Sequence, residues 1–479
     1  MPKTFYLTTT LPYVNAPLHM GHALEFIRAD AIARYKMLIG QDVFFNTGTD
    51  EHGQKIYQKA IEAGKNPQQF VDEAFVVFRD QVRAFGISDQ AHFVRTTDTH
   101  HVSAAQSFWR RVADNGYIYK KAYQTKYCVG CESEKTDSEL ENGFCPLHPG
   151  IPLETIDEEN YFFKFSAFQK PLLEFYDAHP QFIVPEFRFN EMKAFVSRGL
   201  EDFSISRLKE KMSWGVPVPG DDTQVMYVWF DALANYISTL GWPEDEATFT
   251  KYWKEGTPTQ YCGKDNTRFQ GVIWQAMLMA AGLPNSHQIV VNGFITAEGG
   301  VRMSKTLGNV VDPLLIAKEY GTDALRLFLL KEVSSFEDSP FTIERFRDAY
   351  NANLANGLGN LSSRILTLSE KYLEHCPDIP EQSIPQAFFD LLEAFDIQGA
   401  SEYVWAEIKE LDKYIQETEA FKVIKTDETK GKKLITEYVL RLYTIARMLN
   451  PLMPTTNETL KKLIRENKKP DTPLFQRLA

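Results

Sequence analysis

The chain has 479 residues, 52 Lys and Arg against 64 Asp and Glu for a net charge of −12, and is 43% hydrophobic and 13% aromatic. At roughly 100–200 residues per domain this predicts about three domains with their own cores, and the composition excludes disorder and fibrous repeats. No apolar run approaches the roughly 18 residues a bilayer requires, no basic-then-apolar leader is present, and five cysteines are too few for a disulfide scaffold. A cytoplasmic enzyme with no membrane partner is expected. A total of −12 argues mildly against nucleic acid, because phosphate binding wants Lys and Arg to displace counterions.

In chain order, TFYLTTT (4–10) predicts a buried strand, and LPYVNAPLHMGH breaks it with two prolines. A helix is expected from Ala23, with Leu24, Ile27, Ala31, Tyr35 and Leu38 on one face and Gly40 as its stop. The strand-like DVFFNTG follows, so the opening reads as a strand–helix–strand unit of a parallel sheet. Another helical stretch spans about 66–85. From Tyr123 to Asn160 the sequence is turn-rich and holds three of the five cysteines, which predicts an inserted module. Strand-to-helix patterning resumes near Val225, in QVMYVWFDALANYISTL. A buried strand at Gln288–Val291 leads to the glycine-rich TAEGGVRMSKTLGN, and from about Ile343 the pattern is that of a helix bundle.

Cys128 and Cys131 form C-x-x-C, and Cys145 and His148 form C-x-x-H. Two such knuckles supply four ligands for tetrahedral zinc with no open position, so a structural metal is expected. Cys262 and Cys376 lack partners at ligand spacing and read as small apolar fillers.

His19 and His22 flank Gly21 where the first strand gives way to the first helix, a place that favours anions. By itself H-x-x-H permits phosphate contact, a metal pair or ordinary surface histidines. Arg302 and Lys305, with Ser304 and Thr306, lie on a loop bracketed by Gly299, Gly300 and Gly308, which alone would read as solvated. Together the two elements resemble the HIGH-like and KMSKS-like signatures of the class I aminoacyl-tRNA synthetases. LPYVNAPLHMGH, NTGTDEHGQK, the single knuckle, ISR (205–207), VWFDAL, GKDNTRF and NGFITAEGGVRMSK resemble the methionyl members of that family, and the likeness runs to TPLFQRL near the end.

The resemblance implies an α/β fold: a Rossmann-type parallel-sheet catalytic domain, split by a zinc-knuckle insertion and followed by an α-helical bundle that reads the anticodon. The implied divisions are 1–115 and 223–295 for the catalytic halves, 116–222 for the insertion, 296–342 for a linker with the signature loop, and 343–479 for the bundle. The activity implied is ATP-dependent ligation of L-methionine to tRNA(Met) through methionyl-adenylate, with Mg2+ accompanying ATP and one Zn2+ per chain. His19 and His22 would hold the triphosphate, with Gly21 allowing its close approach. Lys305, assisted by Arg302, would draw off pyrophosphate, and Gly263 and Asp265 would meet the ribose. Asp50 would take the α-ammonium group, supported by Arg207. Leu11, Tyr13, Trp229, Ala232, Tyr236 and Phe269 would wall the methionine pocket, and Asn360 and Arg364 would read the anticodon.

Three positions depart from the family pattern. Gln270 stands where a pocket histidine is common, Arg302 replaces the first lysine of the loop, and Phe421 stands where a tryptophan usually stacks on an anticodon base. The rival readings are a class I synthetase for leucine, isoleucine, valine or cysteine, and a catalytically silent paralogue that binds tRNA. Large editing insertions are absent, and His19, His22, Asp50, Arg207 and Lys305 are all retained. A monomer is expected, because the chain stops after the bundle without the module through which some relatives dimerise. The charge is also sorted: Glu381–Ala420 carries ten acids and two bases, whereas Phe421–Lys469 carries twelve bases, among them Lys422, Lys425, Lys432, Lys433 and Arg441, and five acids. The basic stretch is a candidate face for RNA phosphates.

Overall fold

The computed structural model describes residues 3–131, 133–135, 139–301, 303, 311–379 and 384–478. The chain divides into two compact units: Met1–Leu18, Asp42–Gln81 and Gln90–Val291 form the first, and His19–Gln41, Val82–Asp89 and Asn292–Ala479 the second.

The strands of the first unit are, in chain order, β1 (Thr4–Thr8), β2 (Asp42–Thr49), β3 (His92–Arg95), β4 (Ile118–Cys128), β5 (Ser133–Lys135), β6 (Glu154–Phe163), β7 (Ile183–Val184), β8 (Phe203–Ser204), β9 (Ser206–Leu208), β10 (Pro217–Val218), β11 (Asp221–Met226), β12 (Thr257–Gly263) and β13 (Gln288–Asn292). Six of them form one sheet in the order β3-β2-β1-β12-β13-β7. The pairs β3–β2, β2–β1, β1–β12 and β13–β7 are parallel, with Phe5 set beside Val43 on one side and Thr257 on the other. β1 is buried from Phe5 through Thr8, as a strand covered on both faces must be, which explains its unbroken β-favouring run. The chain lays down β1, β2 and β3 in one direction and then returns to the other side of β1 with β12. That reversal opens a crevice at the carboxyl ends of β1 and β12, the usual binding place in such sheets.

The stretch expected to be an insert is framed by two long strands. β4 pairs with β6 antiparallel from Ile118↔Phe163 to Tyr127↔Glu154, in a sheet ordered β5-β4-β6-β8. Turns are confined to the segment between these strands, so the turn-rich expectation for the whole of 123–160 is corrected. Lys120, Lys121, Ala122, Gln124 and Lys126 are all exposed, and the ladder therefore shows no alternation of apolar and polar residues. Behind the crevice an aromatic core packs Phe108 against Phe230, Trp242 and Trp274, and Trp109 edge-on against Phe230. Such pairs add about 0.5–1.5 kcal/mol each beyond area burial.

In the second unit the helix Met20–Leu38 starts three residues before the expected Ala23. It is buried on nearly all sides, and its charges are paired internally. Asp30 Oδ2 lies 2.8 Å from Nη2 of the fully buried Arg326 and 2.7 Å from Nε of Arg34, while the Arg28 guanidinium donates to Asn292 Oδ1 and the carbonyls of Val333, Ser334 and Ser335. Ile295–Thr296 pairs parallel with Ser339–Pro340, and from Ile343 onward the unit is helical as expected, including Asn360–Tyr372, Ile397–Thr418, Glu428–Met448 and Pro454–Arg465. Ile397, Ala400, Ser401, Val404, Trp405, Ile408, Leu411 and Ile415 form the buried stripe of the longest, at the spacings of three and four that a one-faced helix requires. No helix among the described residues is long and apolar enough to cross a membrane.

Candidate active site

In the first unit the sheet brings the predicted residues to its crevice. Leu11 and Tyr13 follow β1, Asp50 follows β2, and Gly263 ends β12 with Asp265 just beyond. The Asp50 backbone N–H donates to Pro12 O at 3.1 Å and bridges to Tyr13, so the carboxylate, 3% exposed, is carried on a fixed main chain. Its neighbour Glu51 is anchored through both its carboxylate and its carbonyl. The Glu51 carboxylate accepts from Thr49 Oγ1 at 2.7 Å and from Arg95 Nε and Nη2 at 2.8 and 2.9 Å, and its carbonyl accepts from Trp214 Nε1 at 2.6 Å.

Trp229 lies face to face on Phe269, ring centres 3.7 Å apart and 8° from parallel. Ala232 and Tyr236 are buried, and Tyr6 donates its hydroxyl to Tyr236 O at 2.8 Å. Gln270, 1% exposed, donates from Nε2 to Thr10 Oγ1 at 2.9 Å and accepts from Gln260 Nε2 at 3.3 Å. Its amide is therefore locked at both ends, beside the strand end that leads to Leu11. Arg207 donates from Nη1 to Ser204 Oγ and Ser206 O, both at 2.8 Å, and its guanidinium sits between the rings of Tyr127 and Tyr227 at 5.0 and 4.9 Å. Two ring faces and two acceptors leave it little freedom. A small open cleft of about 80 Å³ borders Arg207, lined by Gln54, Tyr127, Glu154 and Lys211 among others.

The same unit gathers Cys128, Cys131, Cys145 and His148, whose ligand atoms all lie within 4.8 Å of one another. Cys131 Sγ is 3.4 Å from Cys145 Sγ and 3.2 Å from His148 Nδ1, which in turn is 3.8 Å from Cys128 Sγ and 3.9 Å from Cys145 Sγ. Tetrahedral zinc with Zn–S of about 2.3 Å and Zn–N of about 2.0–2.1 Å sets ligand atoms about 3.5–3.8 Å apart, so the donor set fits that ion. Gly130 makes the closure possible: a Cβ there would fall 2.4 Å from Cγ of His148.

In the second unit His19 is the N-cap of the helix Met20–Leu38. His19 Nδ1 accepts from the backbone N–H of Gly21 at 3.1 Å and of His22 at 3.3 Å, and His22 Nδ1 accepts from the His19 N–H at 3.3 Å. The rings stack at 3.7 Å, and a Cβ on Gly21 would press on the His19 ring at 3.0 Å. An imidazole that accepts at Nδ1 carries its proton at Nε2. Both histidines thus present an Nε2–H donor at a helix N-terminus. Burial, with His19 beside it, holds the His22 pKa well below the ordinary value, so the ring is neutral. Arg302 and Lys305 lie outside the described residues.

Farther along the second unit, Asn360 is exposed at the start of its helix, and Arg364 Nη1 lies 2.5 Å from Asp412 Oδ1. Phe421 is 41% exposed, with Lys422 over its ring at 5.7 Å. Several of the basic-stretch lysines have acidic neighbours: Lys422 pairs with Glu419, Lys432 with Glu428, Lys461 with Glu458, Lys468 with Glu466 and Lys469 with Glu370. The roles of Glu51, Tyr127 and Tyr227 have no sequence signal beyond nearness to Asp50, Cys128 and Trp229, and that of Arg95, 44 residues from Glu51, has none.

A family model described as tRNA synthetases class I (M) matches residues 5–150 and 131–366. The chain is 41% identical over 472 residues to a methionine–tRNA ligase of Caldanaerobacter subterraneus subsp. tengcongensis, covering 95% of this chain and 73% of the relative. It is 37% identical over 486 residues to that of Thermotoga maritima, covering 97% and 76%. Among solved structures, Mycobacterium tuberculosis methionyl-tRNA synthetase in complex with methionyl-adenylate matches with a TM-score of 0.91 and 34% identity, over 99% of this chain and 100% of that one.

Proposed function

The chain belongs to the class I tRNA synthetases of the methionine group, and from that membership we infer that it joins L-methionine to tRNA(Met) at the expense of ATP. In the first step a methionine carboxylate oxygen attacks the α-phosphorus and the bond to the bridging oxygen breaks, giving methionyl-adenylate and pyrophosphate. In the second a terminal adenosine hydroxyl of the tRNA attacks the acyl carbon and AMP leaves. Neither step needs a covalent bond to the protein, so the side chains work by positioning and by stabilising phosphoryl charge.

The observation that carries this reading is the histidine pair. Two neutral imidazoles, their tautomers fixed by backbone N–H groups, add two Nε2–H donors to the positive end of a helix, which suits the charge growing on phosphoryl oxygens. His19, Gly21 and His22 hold the triphosphate, and Gly263 and Asp265 meet the ribose at the carboxyl end of β12. Lys305 and Arg302 draw off pyrophosphate, a role supported by the sequence likeness of their loop. Mg2+ accompanies the nucleotide.

Asp50 receives the α-ammonium group, with Arg207, pinned between two tyrosines, as its supporting partner. Leu11, Tyr13, Trp229, Ala232, Tyr236, Phe269 and Gln270 surround the thioether. The Trp229–Phe269 stack is at van der Waals distance, so the methionine sulfur lies along its edge or parts it. Cys128, Cys131, Cys145 and His148 hold a structural zinc that, with four protein ligands, supplies no open position for chemistry. Asn360, Arg364 and Phe421 read the anticodon. The divisions 1–115, 116–222, 223–295, 296–342 and 343–479 describe the working parts of a cytoplasmic monomer, a setting that suits cysteines free of disulfide bonds. Charging of a tRNA(Met) transcript with labelled methionine tests the whole reaction; a chain that binds the transcript but charges none of it is the silent paralogue instead.

A further inference from the structure

Asp50 is followed by a histidine that the reaction above does not use. His52 is 5% exposed; its Nδ1 lies 3.2 Å from Asp231 Oδ2, and its ring meets Trp214 edge-on. Asp231 is fully buried on the helix Val228–Leu233, between Trp229 and Ala232. Its other oxygen lies 4.0 Å from Nε2 of the buried His101, whose Nδ1 is 2.9 Å from Ser238 Oγ. Among the described residues these two imidazoles are the titratable groups that approach the Asp231 oxygens, with no lysine or arginine. Burial raises the Asp231 pKa, opposed by His52.

A carboxylate held dry between two imidazoles costs more than apolar packing of the same volume. Its position explains its presence. His52 is two residues from Asp50, and Asp231 lies two residues after Trp229 and next to Ala232, so the pair joins the segments assigned to the ammonium end and the thioether end of the amino acid site. We propose that His52 and Asp231 are positioning residues for methionine: their buried contact ties the segment carrying Asp50 to the helix carrying Trp229 and Ala232. The inference rests on the reading of Asp50, Trp229 and Ala232 as the methionine site. Displacements near 1 Å cost roughly 10²-fold in such sites.

The test is methionine-dependent pyrophosphate exchange by the full chain. H52A should raise the methionine KM roughly ten- to hundred-fold, with kcat and the ATP KM held within about twofold. H52N places an amide N–H where Nδ1 stood and should restore most of the loss. D231N, which keeps the shape and weakens the pair, should fall between them and serves if H52A does not fold. An unshifted methionine KM in these variants, an ATP KM that rises in step with it, or an H52N as impaired as H52A would overturn the positioning role. Absence of methionine-dependent exchange in the unaltered chain would overturn the site reading itself.

Discussion

Gly130→Ala isolates the metal knuckle in one atom. The added Cβ would stand 2.4, 2.6 and 2.8 Å from Cγ, Cδ2 and Nδ1 of His148. Carbon atoms in ordinary contact stand about 3.5–4.0 Å apart, so the imidazole must retreat by about 1 Å, several times the ±0.2 Å tolerance of metal–ligand distances. The ring cannot swing freely, because its Nδ1 is packed among three sulfurs. Losing one of four ligands from a site worth about 10–16 kcal/mol removes on the order of 3 kcal/mol, or roughly 10²-fold in zinc affinity. Chelator competition followed by elemental analysis reads this directly. Gly150→Ala is the control, since its Cβ meets nothing within 4 Å. G130A that keeps one zinc per chain and releases it as slowly as the unaltered protein would refute the tetrahedral placement of His148.

Other perturbations separate the remaining parts of the account. His22→Ala removes one Nε2–H donor and should slow adenylate formation by about 10²–10³-fold, whereas His22→Gln retains a donor near that position and should lose less; equal losses would contradict the tautomer assignment. Lys305→Ala should also slow adenylate formation by roughly 10²–10³-fold while methionine binding stays near normal, and an unchanged rate would remove its assigned role. Burial, with His52 and His100 nearby, pushes the His101 pKa down to about 3. The unfolded chain takes up a proton near pH 6.5 that the folded state refuses, so the contribution is complete above that pH and is lost as pH falls towards about 3. Urea unfolding between pH 6 and 4.5 should show a stability slope steeper by about 1.4 kcal/mol per pH unit than in His101→Gln; parallel slopes would contradict the buried neutral state.

Local pattern reveals some of this architecture and hides the rest for identifiable reasons. The β1–helix–β2 opening is visible because β1 is covered on both faces and the following helix has its apolar residues at helical spacing. The knuckle is visible because four ligands lie within 21 residues, at spacings that close on one ion. The start of the first helix is hidden because a histidine caps it, through a ring nitrogen in place of the usual hydroxyl or carboxylate. The β4–β6 ladder is hidden by its exposure, and β12 by the polar Thr and Gln that line it while buried. The His52–Asp231–His101 cluster draws on three segments of the first unit, and no sequence spacing predicts it. The acidic total says little about RNA because it averages over a tail in which acids and bases are sorted along the chain.

The central claim, that this chain activates methionine with ATP, is tested most directly by pyrophosphate exchange into ATP with each amino acid in turn. The account predicts exchange stimulated by methionine and lost in Lys305→Ala. Exchange stimulated by leucine, isoleucine, valine or cysteine in preference to methionine, or by no amino acid at all, would contradict it.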